Sequence, residues 1–186
     1  MITIVYSHPG GESLNAAILK AVVTTLEAEG RAYRVIDLYA DGFNPVMTQR
    51  ELELYPQGKS DDPLVDRYGK ALLDTDKIIF IFPVWWGMMP AMLKGFFDKV
   101  LLKGTAFDTT DTGDLMPNLS VSKTLVVTTS DGPSVEFGTF FQGYLVPMVL
   151  ETVGMTNAEW FNCDRADSID DARRQEFIEN VVRKIS

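Results

Sequence analysis

The stretch IIFIFPVWWGMMPAMLKGFFDKVLLKG, residues 78–104, decides the fold of this chain. It begins with a continuous apolar run to Phe82, and such a run of branched and aromatic residues is typical of a strand buried on both faces of a sheet. Pro83 ends the strand because proline has no N–H group for the ladder. From Ala91 onward, apolar residues recur at spacings of three and four, which predicts an amphipathic helix. The segment therefore combines a buried strand, a short aromatic loop and a helix, and such loops bind ligands in open α/β sheets.

The segments before this stretch alternate between strand and helix patterns. Residues 2–6 form a first buried apolar run, and residues 33–38 form a second. Between them, an apolar stripe predicts a helix over residues 14 to about 29, with Ser13 as the N-cap. This strand–helix–strand order predicts a parallel sheet with a right-handed crossover.

The rest of the chain continues the alternation, with two irregular interruptions. Residues 39–63 and 105–119 carry no clear period. The remaining pattern predicts, in order, short helical turns near residues 48–55, a helix over 64–74, a fourth strand over 122–128, a loop over 129–138, a helix over 140–153, a fifth strand over 158–162 and a helix over 170–185. Five strands that alternate with helices predict a three-layer α/β sandwich with strand order 2-1-3-4-5, in a single domain over residues 1–186.

The composition bounds the class of protein. With 26 acidic against 17 basic side chains, the net charge of −9 argues against nucleic acid or an anionic membrane as the main partner. The single cysteine, Cys163, excludes an internal disulfide framework and indicates a reducing compartment, so we expect a cytoplasmic protein. No signal-peptide pattern opens the chain. Pro83, Gly87 and Pro90 interrupt the central apolar stretch, so we expect no membrane insertion.

The loop over residues 7–13 leads into the N-terminus of the first helix. Free N–H groups and the helix dipole there favour an anion, typically a phosphate. Ser13 and Asn15 have side chains that can add hydrogen bonds, and His8 can donate one. No P-loop or dinucleotide-binding fingerprint is present, so an ordinary capped helix is the simpler interpretation of this loop alone.

Two further loops leave strands that the predicted order places beside the first strand. Residues 83–90 carry Trp85 and Trp86, whose flat rings suit a planar ligand, although core packing is the commoner fate of aromatic pairs. Residues 128–138 supply hydroxyl groups and backbone donors, or simply form a polar turn. Because the three loops meet at one edge of the sheet, we expect a ligand site there.

Few side chains can carry acid–base or nucleophilic chemistry. His8 is the only histidine and Cys163 the only cysteine of the sequence, so no catalytic triad can be assembled. At the end of a short strand, Cys163 is expected to be a small core residue. The sequence has no cluster of metal ligands, and we expect no metal site. Ligand loops without such groups indicate a cofactor that does the chemistry.

Four segments together resemble a known family, and they occur in the order found there. They are HPGGESLNAAI (residues 8–18), DLYADGFNPVMT (37–48), FPVWWGMMPAMLKGFFDKVL (82–101) and VVTTSDG (126–132). The chain resembles the NAD(P)H dehydrogenase (quinone) family of flavodoxin-like flavoproteins. This family includes quinone reductases, modulators of drug activity and ancillary subunits of potassium-efflux systems. The likeness spans most of the chain and fades after about Gly154.

The resemblance implies a flavodoxin-like fold and a flavin, FMN or FAD, held without a covalent bond. By position, it implies contacts to three parts of the flavin. The phosphate would be held by His8, Ser13, Leu14 and Asn15, and the ring would be contacted by Pro83, Val84, Trp85, Trp86 and Gly87. The pyrimidine end would be contacted by Thr128, Thr129, Ser130 and Gly132. Hydride would come from NADH or NADPH and pass to a quinone-like acceptor by a ping-pong mechanism. The candidates for a catalytic role near the ring are Trp86 and Tyr144. The family is usually a homodimer whose active site is completed by the partner subunit.

The chain departs from the family in the loop after the fourth strand. Members often have two glycines after the threonine pair, where this chain has Ser130 and Asp131 before Gly132. An acid near N1 and O2 of the flavin disfavours the anionic reduced ring, unless its side chain points away. The short C-terminal region favours FMN slightly, because some members contact the adenine of FAD there.

Three other functions use the same fold. One is a flavin-binding regulatory subunit of a potassium-efflux transporter, which would have a membrane protein as its partner. Another is a one-electron carrier of the flavodoxin type. The third is an azo- or nitro-reductase, which presents the same machinery to a different acceptor.

Overall fold

The computed structural model describes residues 1–185, which form seven strands and six α-helices. In chain order these are β1 (Ile2–Tyr6), α1 (Leu14–Ala28), β2 (Tyr33–Asp37), α2 (Gln49–Leu54), α3 (Pro63–Leu73), β3 (Lys77–Pro83), α4 (Ala91–Val100), β4 (Phe107–Thr109), β5 (Leu115–Pro117), β6 (Lys123–Thr129), α5 (Ser134–Phe140), β7 (Ala158–Cys163) and α6 (Asp171–Ile185). A 3₁₀ turn follows α2 at Tyr55–Gln57. A π-helix (Phe141–Leu150) and a second 3₁₀ turn (Glu151–Val153) follow α5.

Five strands form one parallel sheet in the order β2-β1-β3-β6-β7. Counting these five strands alone, the order is 2-1-3-4-5, so the predicted flavodoxin-like α/β fold is confirmed. The central strand β3 is buried on both faces, with Phe80 and Phe82 packed on one side and Ile79 and Ile81 on the other. Helices α1 and α6 cover one face, while α3, α4 and the π-helix cover the opposite face.

The hairpin β4–β5 was not expected, because residues 105–119 were predicted to be irregular. Its two strands pair antiparallel, from Phe107 opposite Pro117 to Thr109 opposite Leu115. Each strand has only three residues, which is too short for an alternating apolar pattern to be recognised.

The helix after β6 begins earlier than predicted. Residues 129–138 were predicted to be a loop, but α5 starts at Ser134, directly after Pro133 at the N-cap. Gly138 and the β-branched Val135 are weak helix formers, which explains the error. The helix then widens into the π-helix, which contains Pro147. The other predicted helices and strands end within one or two residues of their observed bounds.

The long connection between β2 and α3 is docked on helix α4. Lys99 of α4 is 3% exposed. Its ammonium group lies 2.8 Å from Glu51 Oε1 and 2.9 Å from Asp62 Oδ2, and it donates to the Asn44 carbonyl oxygen at 2.7 Å. One turn earlier on the same helix, Gly95 packs so closely on the connection that an added Cβ would lie 2.3 Å from the Pro45 carbonyl oxygen. Charge pairing and close packing therefore fix this segment.

No helix among residues 1–185 is both long enough and apolar enough to cross a membrane. Cys163 lies buried at the end of β7, where burial raises the pKa of its thiol to about 11. Such a thiol is almost wholly protonated at neutral pH and is a poor nucleophile. The single domain over residues 1–186 stays a prediction.

Candidate functional site

The loops after β1, β3 and β6 meet at the carboxyl edge of the sheet, around a cleft of about 660 Å³. We call it the polar cleft, because hydroxyl, amide and charged side chains form much of its wall. It collects most of the residues predicted to bind a cofactor, namely His8, Ser13, Leu14, Asn15, Pro83, Val84, Trp85, Thr129 and Ser130. The order of the strands places these residues together, although they are far apart in the chain.

The N-terminus of α1 opens into the polar cleft. The Ser13 hydroxyl caps the helix by accepting from the Ala16 N–H at 3.1 Å, and it donates to the Gly10 carbonyl oxygen at 3.1 Å. The first-turn N–H groups of Leu14 and Asn15 have no intrahelical acceptor. An anion at this end of the helix would therefore meet free donors and the positive end of the helix dipole.

His8 lies beside this helix terminus with its ring orientation fixed. Its Nδ1 accepts from the Gly10 N–H at 2.9 Å, while the Gly10 carbonyl oxygen lies farther away, at 3.2 Å. A nitrogen that accepts a hydrogen bond carries no proton, so the proton of the neutral ring sits on Nε2. His8 can therefore offer an N–H donor to a ligand without becoming charged.

Asn15 connects the first and third loops. It is 3% exposed, and its Nδ2 donates to Thr129 Oγ1 at 2.9 Å. Its Oδ1 is buried and, within the described part of the chain, has no hydrogen-bond partner. Because an unpaired buried acceptor is costly, this oxygen favours a ligand that brings a donor into the cleft.

The loop after β3 is a tight two-residue turn. Trp85 and Met88 exchange backbone hydrogen bonds of 2.9 and 3.2 Å. The two residues between them have positive φ angles, 52° at Trp86 and 76° at Gly87, as in a type I′ turn. Trp85 lines the polar cleft, with its ring centroid 6.3 Å from that of His8. Trp86 is 99% exposed, so the turn places it and Gly87 outside the cleft wall.

The loop after β6 divides its predicted residues between the cleft and the interior. Thr129 and Ser130 line the cleft, whereas Thr128 is fully buried behind it and Gly132 is not part of the wall. Asp131 also lines the cleft and lies near Asp167. Partial loss of hydration and, next, the Asp167 carboxylate raise the pKa of Asp131 above its usual value.

The start of α6 and the loop before it form part of the cleft that the sequence analysis missed. Their contributions to the wall come from Ala166, Asp167, Asp171, Arg174, Gln175 and Ile178. The Arg174 guanidinium contacts Asp171 Oδ1 at 3.4 Å and donates to the Ala166 carbonyl oxygen at 3.3 Å. Its buried Nε has no partner among residues 1–185. The predicted strand order did contain a signal for this loop, because a parallel fifth strand also places the loop that follows it at the carboxyl edge of the sheet.

A second depression of about 1,090 Å³ adjoins the polar cleft, and Trp85 lines both. We call it the apolar groove, because methionine and aromatic side chains dominate its wall. Several of these large side chains are more than half exposed, namely Leu52, Met88, Leu115, Tyr144 and Met148. The Tyr144 ring stacks on the Phe140 ring at 6.2 Å between centroids. The wall draws on both irregular segments of the sequence, with Met47 from one and Phe107 from the other.

The fold and the position of the cleft define a flavodoxin-like protein, and the family model described as "flavodoxin-like fold" matches residues 1–185. NAD(P)H oxidoreductase YcaK of Escherichia coli K12, itself described as uncharacterized, is 36% identical over 107 residues, which span 57% of this chain and 55% of that protein. Ribosyldihydronicotinamide dehydrogenase (quinone) of Mus musculus is 32% identical over 167 residues, which span 75% of this chain and 71% of that protein.

The solved structure of NAD(P)H:quinone oxidoreductase from Methanothermobacter marburgensis has a TM-score of 0.83 at 25% identity, and the match covers 98% of this chain and 92% of that one. The structure of Smu.1420 from Streptococcus mutans UA159 also has a TM-score of 0.83, at 30% identity, with 98% and 97% of the two chains covered. The chain belongs to the flavodoxin-like family of NAD(P)H and quinone oxidoreductases.

Proposed function

We propose that the protein is a flavin-dependent NAD(P)H:quinone oxidoreductase. One observation carries the proposal. The polar cleft, with the unpaired Asn15 Oδ1 and the open N-terminus of α1, meets the apolar groove at Trp85. This arrangement offers a phosphate site and a site for a flat apolar reactant on either side of one aromatic ring. Relatives of the chain that are named oxidoreductases and quinone dehydrogenases support the same reaction class.

The residues of the polar cleft fit a flavin. The N–H groups of Leu14 and Asn15, the His8 Nε2–H and the Arg174 guanidinium would hold its phosphate. The Asn15 Oδ1 would accept a hydrogen bond from a ribityl hydroxyl. When bound, the flavin would supply two-electron hydride chemistry between NADH or NADPH and a quinone-like acceptor, in a ping-pong sequence.

Both FMN and FAD agree with the polar cleft. The preference for FMN rested on a short C-terminal region, but the first turns of α6 line the cleft. Arg174 there could pair with the phosphate of FMN or with the second phosphate of FAD. We therefore keep both flavins in the proposal.

The apolar groove would receive the nicotinamide and the acceptor in turn. Met47, Met88, Met89 and Met148 line it, and unbranched thioether side chains can adapt to ring systems of different shapes. Tyr144 and Trp85 add flat faces that suit stacking on a planar acceptor. The groove therefore favours quinone-like compounds over strongly charged acceptors.

We further propose that two copies of the chain pair through the face around the apolar groove, because large apolar side chains that are exposed together can mark an interaction site. Light scattering is expected to give twice the chain mass of 20.8 kDa. Met148→Glu, within the groove, should shift the mass toward one chain. Val135→Glu, at an exposed position outside it, should not. A wild-type mass of one chain would contradict this pairing.

The cytoplasmic location also belongs to the proposal, and it rests on the single cysteine of the sequence.

An absorption spectrum of the purified protein with added FMN or FAD tests the proposed function. We expect bound flavin with visible absorption bands that bleach within seconds of anaerobic addition of NADH or NADPH and return on addition of a quinone. The nucleotide that reduces the flavin faster is the preferred donor of the two. Bound flavin that neither nucleotide bleaches would contradict the enzyme and favour a regulatory flavoprotein. Failure to bind either flavin would contradict the site itself.

A further inference from the structure

A chain of hydrogen bonds runs behind the wall of the polar cleft. The Trp160 Nε1–H donates to Thr128 Oγ1 at 2.9 Å, and the Thr128 hydroxyl donates to Asn162 Oδ1 at 2.7 Å. The Asn162 Nδ2 then donates to Ser130 Oγ at 2.8 Å, and the Ser130 hydroxyl donates to the Gly132 carbonyl oxygen at 2.9 Å. This series of hydrogen bonds therefore connects the edge strand β7 with the loop after β6.

The direction of every bond in this chain is fixed by chemistry. The indole of Trp160 can only donate and the carbonyl of Gly132 can only accept, so each hydroxyl between them must pass its one proton forward. The Asn162 amide uses its oxygen and both of its N–H groups, because Nδ2 also donates to Ser134 Oγ at 3.0 Å. Thr128 is 0% exposed and Ser130 is 4% exposed, so bulk water cannot replace a lost partner cheaply.

Asn162 is the central residue of this chain. Opposite Thr128 in the sheet register, it is the one side-chain amide among residues 1–185 that joins a buried strand hydroxyl to a loop hydroxyl in the cleft wall. The Ser130 backbone is bonded to β7 and to the turn that follows it, through the Cys163 carbonyl oxygen and the Ala166 N–H, both at 2.9 Å. The side-chain hydrogen bonds add a further restraint, because they extend to the Gly132 carbonyl oxygen. They thereby shape the turn that contains Asp131.

We propose that Asn162 is a positioning residue of the polar cleft. It touches no ligand itself but sets the conformation of residues 130–132, and through them the wall on which the ligand rests. That the ligand is a flavin rests on the proposed function. The effect of Asn162 on the loop conformation does not depend on the proposed function.

Two substitutions of Asn162 distinguish the direction of its hydrogen bonds from the shape of its side chain. Asn162→Leu removes every hydrogen bond of the side chain at similar volume. Asn162→Asp keeps the shape but offers only acceptors, so the Ser130 hydroxyl is drawn toward the carboxylate and releases the Gly132 carbonyl. Ser134→Ala is the matched control, because it removes one bond of Asn162 but leaves the chain to Gly132 intact.

Hydrogen exchange of the protein without flavin, followed by mass spectrometry, is the first readout. In both Asn162 variants, the amides of Ser130 and Ala166, whose backbone hydrogen bonds hold this loop, should exchange about tenfold faster than in the wild type, while those of α1 stay unchanged. FMN affinity, measured by quenching of flavin fluorescence, is the second readout, and we expect it to weaken about tenfold. Ser134→Ala should change both by less than about twofold.

Unchanged exchange in the Asn162 variants, or equal effects of Ser134→Ala, would overturn the proposal. Faster exchange with unchanged FMN affinity would also overturn it, because the loop would then not serve the cleft. If the wild type binds no flavin, the proposed function fails, and the exchange data still decide whether Asn162 positions the loop. Should Asn162→Leu lose its cooperative thermal unfolding, Ser130→Ala removes the last two bonds, from Asn162 and to the Gly132 carbonyl oxygen, and the exchange readout then gives the same test.

Discussion

Replacing Lys99 with methionine is expected to lower the free energy of unfolding by about 3–5 kcal/mol at pH 7. The methionine fits the volume of the lysine stem, but Glu51 and Asp62 lose the cation that compensates them. Glu51 is 5% exposed, so its charge would stay buried without a cation beside it. Urea unfolding followed by circular dichroism gives the free energy directly.

Lys94→Met is the matched control for this prediction. Lys94 lies on the same helix and pairs with Asp98, but its side chain is 59% exposed. Exposed pairs of this kind contribute about 0.3–0.5 kcal/mol, so the control should be close to the wild type. Equal losses in the two variants would show that burial of the Lys99 cluster is not the cause.

The pH dependence of the Lys99 effect follows from the shifted pKa values. Burial would raise the pKa of Glu51, but hydrogen bonds from Lys99 and Thr48 outweigh it and hold the pKa below its usual 4.5. Glu51 therefore stabilises the wild type above pH 4.5, and this contribution is lost as the pH falls through the folded-state pKa. Burial would lower the pKa of Lys99, but the two carboxylates raise it above 10.5, so its contribution is full below that pH and is lost as the pH rises through the folded-state pKa.

In the Lys99→Met variant, the pKa of Glu51 should instead rise, because burial remains and the cation is gone. The difference between variant and wild type should thus shrink as the pH falls below about 4.5. Unfolding curves at pH 7 and pH 4 compare the two conditions. A difference that grows on acidification would contradict the charge pairing.

Arg174→Gln is expected to weaken FMN binding about a hundredfold, which is the loss of a charge-assisted phosphate contact. Among residues 1–185, Arg174 is the permanently charged cation of the polar cleft, whereas Glu12, Asp131, Asp167 and Asp171 line it with carboxyl groups. A dianionic phosphate in such surroundings needs this guanidinium. Glutamine keeps much of the length and a donor but removes the charge.

Riboflavin separates this role from a general disturbance of the cleft, because it lacks the phosphate. Its affinity should change by less than about threefold in Arg174→Gln, so the ratio of FMN to riboflavin affinity is the diagnostic quantity. Arg173→Gln is the matched control, since Arg173 is the neighbouring residue of α6 but is exposed and does not line the cleft. Equal weakening of FMN and riboflavin would remove Arg174 from the phosphate site.

The predictable part of this protein is the part with strong local patterns. The apolar run before Pro83 and the apolar stripe after Ala91 specify a strand and a helix, and the parallel order then brings the loops after β1, β3 and β6 together. Ser13 and Asn15 followed from this order, because the start of α1 had to lie at the same edge. The hairpin β4–β5 and the early start of α5 carried no comparable local signal.

The rest of the site depends on contacts between distant segments. The approach of Arg174 to the cleft depends on how α6 packs on α1, and a single sequence does not encode that distance in any local pattern. Trp86 was expected at the flavin ring, but the positive φ angles of the turn direct it outward. The burial of Thr128 follows from its partners Trp160 and Asn162, which lie more than 30 residues away in the chain.

The exposed indole of Trp86 has a thermodynamic consequence. Its turn is held in shape by two backbone hydrogen bonds, so covering the ring would cost little further backbone entropy. Full burial of an aromatic side chain of this kind yields about 2–3 kcal/mol. Any surface that closes over this tip, whether a second chain or a bound reactant, therefore gains most of that free energy and loses little backbone conformational entropy.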